Sequence, residues 1–139
     1  MSTIEFFVPG APKPQGSKRM VGNGLMVEAC KELGPWRERV ALAASQAVNG
    51  SPVLSDVPFT VVLNFVMPRP ASAPKRSTPP AVKRPDLDKL VRAIFDACTG
   101  IVFTDDSAVT TLVTTKRLAE IGEPPGVGIH LTPDLTKGK

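Results

Sequence analysis

Two acidic groups in a basic chain carry the chemistry this sequence can do. Asp86-Leu87-Asp88 opens an apolar helical pattern, and Asp105-Asp106 follows shortly after Gly100. With Asp96 they place five of the chain's 13 acidic residues in the window 86–106. The whole chain carries a net charge of +4, with a pI of about 9.3. Carboxylates concentrated in a basic protein suggest a bound divalent cation and a polyanionic substrate, the combination a nuclease uses.

Each acid also has a purely structural explanation. Asp86 follows Pro85 and precedes a helix, which is an N-cap position. Asp88 falls in the first turn, where the helix dipole favours a negative charge. Asp88, Arg92 and Asp96 are spaced i, i+4, i+8 and can form a solvated ion-pair row. Asp105-Asp106 can be turn residues ahead of a strand. The joint pattern is harder to explain this way, because one cap needs one acid. A helix of about 13 residues is about 20 Å long, and the connection after Gly100 is short. Residues 101–106 can therefore run back beside the helix toward Asp86 and Asp88. Carboxylates brought together repel unless a cation neutralises them. Hard oxygen ligands suit Mg²⁺ or Mn²⁺, which activate water and stabilise charge at a scissile phosphate.

The elements that would position these groups follow from the pattern of the remaining chain. Its 139 residues are 42% hydrophobic, enough for one core and one domain spanning 1–139. Ile4 to Val8 reads as a first strand. Residues 9–24 read as a basic Pro/Gly loop, or as a loop with short strands flanking a Gly22-Asn23-Gly24 turn. Pro35 to Val48 has helical spacing at Trp36, Val40, Ala43, Ala44 and Ala47. Phe59 to Met67 alternates as a strand. Asp86 to Cys98 is a second helix with an apolar stripe of Leu87, Leu90, Val91, Ile94, Phe95 and Cys98, stopped by Gly100. Val109 to Lys116 and Val127 to Leu131 read as the last strands, and residues 133–139 as a frayed tail. The expected fold is α+β: a small mixed sheet with two main helices.

Residues 68–85 hold six prolines and five basic side chains, with no acid. Such a segment forms no regular element and is expected to be exposed or mobile. It is either an arm that contacts phosphates or a solvated linker. Cys30 and Cys98 make neither a disulfide framework nor a zinc site, and Cys98 belongs to the apolar pattern of the second helix. The start of the chain lacks the features of a signal peptide, and no apolar run approaches the length of a membrane span. A reducing cytoplasm is the expected location.

The stretch Arg84-Pro85-Asp86-Leu87-Asp88-Lys89-Leu90, with Asp96-Ala97, Gly100 and Asp105-Asp106-Ser107-Ala108-Val109, resembles the RusA-type Holliday junction resolvases. These are small endonucleases of bacteria and their phages, and the resemblance implies a phage or prophage origin. It reaches more weakly to Pro12-Lys13-Pro14-Gln15-Gly16-Ser17-Lys18-Arg19 and to the order of elements up to about residue 117. It implies that Asp86, Asp88 and Asp106 are metal-binding catalytic carboxylates, with Asp105 beside them as a further ligand. It also implies a homodimer that holds a four-way junction and nicks two strands of like polarity with Mg²⁺, or with Mn²⁺ in its place. Lys13, Lys18, Arg19, Lys75, Arg76, Lys83, Arg84 and Lys89 are the basic residues expected to contact DNA.

Two positions depart from the family pattern. Lys89 stands where Asn often follows the second Asp, and Arg92 stands where a Lys important for activity is usual. Arg92 keeps the charge and can bind a phosphate bidentately, but it does not transfer a proton at neutral pH. Asp96 is expected to be structural or to support the other acids, and His130 to be structural. The main expectation is a junction-resolving endonuclease. The alternatives are a non-catalytic DNA-binding accessory protein and a nuclease that prefers flaps or forks.

Overall fold

The computed structural model describes residues 3–16, 18–21, 25–28 and 31–137, with the side chains of 18–21, 25–28 and 137 outside the description. Ile4–Pro9 (β1), Phe59–Met67 (β4), Val109–Leu118 (β5) and Gly126–Pro133 (β6) form one mixed sheet in the order β1-β6-β4-β5. Lys18–Val21 (β2) and Leu25–Glu28 (β3) form a separate antiparallel pair around residues 22–24. The two helices are Leu33–Val48 (α1) and Leu87–Cys98 (α2). The expected α+β fold is present as a single domain.

Alternation builds the sheet. Phe59, Val61, Leu63 and Phe65 of β4 are fully buried, while Thr60 and Asn64 point to the open face. The apolar stripe of α2 buries Leu90, Val91, Ile94 and Cys98 in the same core, where α1 adds Leu33, Trp36, Val40 and Ala44. Pro35 lies in the first turn of α1, where the missing N–H has no intrahelical partner to lose. Burial pushes the Cys98 thiol up to about 12, so it stays protonated as a small core residue. His130 lies across from Glu5 in the β1–β6 register, with Nδ1 3.7 Å from its carboxylate.

The key connection is the crossover β4–α2–β5, because β5 lies parallel to β4 with Phe59 opposite Val109. A parallel neighbour requires a long connection, and residues 68–108 supply it. α2 returns along the sheet and ends in a tight turn. Thr99 accepts an extended conformation, and Gly100 adopts φ +86°, a left-handed geometry that an L side chain resists. The Gly100 N–H donates to the Phe103 carbonyl at 2.8 Å. Phe103 is fully buried edge-on against Phe59 (5.4 Å) and Phe95 (6.5 Å).

Residues 68–85 contain no helix or strand and are largely exposed, as expected from the sequence, and hydrogen bonds also hold them in place. The Arg69 side chain turns inward and donates to Thr78 Oγ1 (2.9 Å), to the Ala119 carbonyl (3.1 Å), to the Ser77 carbonyl (2.6 Å) and to the Pro74 carbonyl. One guanidinium thus satisfies several backbone carbonyls that the prolines leave without local partners. The segment 133–137 is also anchored. Pro133 closes β6 opposite Phe59, the Asp134 N–H donates to the Pro58 carbonyl at 2.8 Å, and Leu135–Lys137 makes one 3₁₀ turn. Residues 138–139 lie outside the description.

Candidate active site

Asp86 takes the N-cap position of α2 with φ −69° and ψ 141°, yet its side chain makes no capping hydrogen bond. Its carboxylate is left at the positive end of the helix dipole. The helix then carries Asp88, Arg92 and Asp96 along one flank, at the spacing that aligns residues on a helix face. Asp88, Val91, Arg92, Phe95, Asp96 and Asp106 line a single open cleft of about 330 Å³. Asp86 and Lys89 line a neighbouring cleft of about 280 Å³ with Pro14, Arg84 and Pro85. Among the described residues, the ion-pair row Asp88–Arg92–Asp96 is not formed.

The turn after α2 delivers Asp106. Phe103 is held by a bridge to Leu54, and the Thr104 N–H donates to the Leu54 carbonyl at 3.0 Å. Asp105 follows, and its carboxylate accepts the Ser107 N–H at 3.0 Å, capping the 3₁₀ turn Asp106–Ala108. Hydrogen bonds from the Ser107 side chain and backbone hold the Asp105 carboxyl below the usual carboxylate range. Asp105 therefore aims its neighbour Asp106 into the cleft and does not line that cleft itself.

Asp88 and Asp106 thus share a cleft, while Asp86 stands around the head of the helix. Among the described residues no three acids, histidines or cysteines gather closely enough to hold one ion together. The topology explains the spread. Asp86 sits at the end of α2 near Lys116, late in β5, whereas Asp106 precedes the start of β5. For Mg²⁺ the donor chemistry fits: of the three carboxylates lining the open cleft, Asp96 is held by Gln15, and Asp88 and Asp106 match an ion that uses one or two protein carboxylates and completes its shell with water and phosphate.

Three contributors escaped the sequence reading. Gln15 docks the loop after β1 onto α2: its N–H donates to the Lys89 carbonyl at 3.0 Å, its side-chain amide donates to Asp96, and its Oε1 accepts from Arg37 at 3.1 Å. Gly16, at φ +99°, lies so close that a Cβ there would come within 3.5 Å of Lys89 Cδ. Lys116 donates to the carbonyls of Lys83 (3.0 Å) and Pro85 (2.8 Å), fixing the entry to Asp86. Arg69 is the third. Each is a polar residue whose hydrogen bonds reach groups elsewhere in the chain, and periodicity carries no such signal. The Pro/Gly density of 9–16 was the one local hint.

The basic residues divide. Lys13 pairs with Glu32 at 3.0 Å. Lys75, Arg76, Lys83 and Arg84 are exposed on the proline-rich segment, and Lys89 stands beside Asp86. Lys18 and Arg19 lie in β2, with side chains outside the description, and Cys30 lies outside it entirely.

The family model of endodeoxyribonuclease RusA matches residues 9–132. The chain belongs to the RusA endodeoxyribonuclease family. The RusA match spans both clefts, the proline-rich segment and most of the sheet. The chain is also 31% identical over 130 residues to the uncharacterized protein YqaN of Bacillus subtilis (strain 168), covering 86% of this chain and 91% of that protein. Within this RusA-family fold, no helix is long and apolar enough to cross a membrane among the described residues.

Proposed function

We propose that this protein is a metal-dependent endonuclease that resolves four-way DNA junctions by paired symmetric nicks, in recombination and repair. The observation that supports this most is the acid set around α2. Asp86 leaves its cap unmade, and Asp88 and Asp106 face one cleft with Arg92, in a chain of an endodeoxyribonuclease family. A DNA-binding surface gains nothing from carboxylates facing phosphate unless a cation lies between them.

Asp88 and Asp106 would hold the ion, with Asp86 at the helix head and Asp105 fixing the turn. When bound, Mg²⁺ or Mn²⁺ supplies charge neutralisation and a nucleophile at neutral pH. Arg92 presents a planar fork of donors to a phosphate and keeps its charge throughout. Lys89, beside Asp86, adds a second cationic side chain near the helix head. Asp96, tethered by Gln15, shapes the cleft wall.

Two active sites acting together require two subunits. β5 is the outer strand of the sheet, and Leu112 and Val113 are exposed on it. A long uncovered edge is a template for pairing with a second copy. Val113→Lys is expected to halve the mass seen by analytical ultracentrifugation without changing circular dichroism.

The test is cleavage of a labelled four-way junction beside a linear duplex and a flap of matched sequence, with Mg²⁺, Mn²⁺ or EDTA. Paired symmetric nicks in the junction alone, abolished by EDTA, are the expected result. Tight junction binding with no cleavage under either metal would replace this reading with a non-catalytic accessory protein. Changing Lys75, Arg76, Lys83 and Arg84 together to Ala is expected to weaken junction binding. It should also lower the slope of log affinity against log salt by about 1 for each phosphate no longer neutralised. An unchanged slope would make the segment a spacer.

A further inference from the structure

The proline-rich segment encloses more than a path between β4 and α2. Folded back by Arg69 and closed by Thr78 Oγ1 donating to Glu120 at 2.7 Å, it forms one wall of a cleft of about 670 Å³. The loop at Ala11–Pro14, with Met67 and Leu118, completes the lining. Proline rings and short side chains dominate the lining. Among the described residues its charged members are Lys13, Lys83 and Arg84, and no acid lines it. Lys13 is already paired with Glu32, whereas Lys83 and Arg84 have no ion-pair partner among the described residues. The size is that of a site for a small organic group.

Position adds two constraints. Pro14, Arg84 and Pro85 line both this cleft and the one holding Asp86, so the two adjoin. Val82, at the lip, is an apolar side chain left 80% exposed, with the Val82 N–H donating to the Pro80 carbonyl at 3.0 Å. An apolar slot with a cationic mouth, beside the Asp86 carboxylate at the head of α2, matches a nucleotide: a flat apolar base attached to a phosphate. Flat proline faces pack on a base regardless of its identity, and backbone groups can reach its edge. A paired base cannot enter, because its faces and edge are covered in the duplex.

We propose that the proline-walled cleft takes one unpaired nucleobase of branched DNA, adjacent to the strand at the Asp86 cleft, with Lys83 and Arg84 on its phosphate and Val82 against the neighbouring base. This rests on the DNA-cleaving reading above. It gives the protein a way to select strand discontinuity independently of where the acids lie.

The experiment places 2-aminopurine, and separately an abasic tetrahydrofuran, at successive positions from the crossover of a four-way junction. Binding is read with the full-length protein, its Val82→Ser variant and its cleft-filling Ala81→Trp variant. One position should brighten several-fold on binding wild type. The abasic unit at that position should weaken binding about five- to tenfold, the scale expected for removal of one stacked base. The brightening should fall in Val82→Ser, which changes an exposed side chain and leaves the fold intact, and vanish in Ala81→Trp. Uniform or absent brightening with an abasic series that binds evenly would overturn the base site while leaving junction cleavage standing. A position-specific signal from a wild-type protein that cuts nothing would keep the base site and overturn the nuclease reading.

Discussion

Asp88→Asn is expected to slow junction cleavage by about 10³-fold, corresponding to about 4 kcal/mol of transition-state stabilisation. The substitution is nearly isosteric and removes one negative charge from the cleft that Asp88 shares with Asp106 and Arg92. Asp88 makes no ion pair among the described residues, so its neutralisation breaks no salt bridge. The thermal midpoint should therefore move little, and junction affinity should hold or rise because a charge opposing phosphate is gone. Single-turnover cleavage and a gel-shift titration on the same preparation check both halves. A folded Asp88→Asn protein that no longer binds junctions would make Asp88 a structural residue.

The largest effect on stability is expected at Phe103. Phe103→Ala removes a fully buried ring that packs edge-on against Phe59 and Phe95. Such truncations cost about 3–5 kcal/mol. With an m-value of roughly 2 kcal/mol per molar urea for a domain of this size, the unfolding midpoint should drop by roughly 2 M. The ring also anchors in the core the turn that presents Asp106, whose backbone bridges Leu54 and Thr99 at Phe103. Where the variant remains folded, cleavage should fall further than the folded fraction alone dictates. Phe103→Leu, which keeps most of the volume, should recover much of both deficits. Cleavage that merely tracks the folded fraction would separate the turn from the site.

Much of this was legible in the sequence because its signals are local. The alternation of β4 and the apolar stripe of α2 follow from which side chains must meet the core, and Asp86, Asp88 and Arg92 take their helical positions from that stripe. The short strands expected to flank Gly22-Asn23-Gly24 are present and paired, while the turn residues themselves lie outside the described residues. Side-chain commitments were not legible. Asp86 sits at the cap without capping, while Asp105 does cap, and nothing local in the sequence separates the two. The proline-rich segment is irregular and largely exposed, as composition indicates, but composition does not show the single arginine that gathers its carbonyls. The tail read as frayed for a similar reason: its anchor is the Pro58 carbonyl, far away in the chain.

The crossover also says where the chain has slack and where it has none. Both clefts draw their acids from one continuous stretch, β4 through β5, and two linkers set their spacing. The linker after β4 is long and exposed between Pro74 and Ser77, and its ties are side-chain hydrogen bonds, chiefly from Arg69 and Lys116, with no regular element to keep in register. Loop-closure entropy rises slowly with length, so extra residues there would leave α2 and β5 in place. The linker after α2 is clamped at Gly100, Phe103 and Thr104 by hydrogen bonds and a buried ring. A single inserted or deleted residue there would turn Asp106 away from Asp88. Length variation in related chains should therefore collect on the proline side of the helix, and the spacing from Cys98 to Asp106 should behave as a fixed gauge.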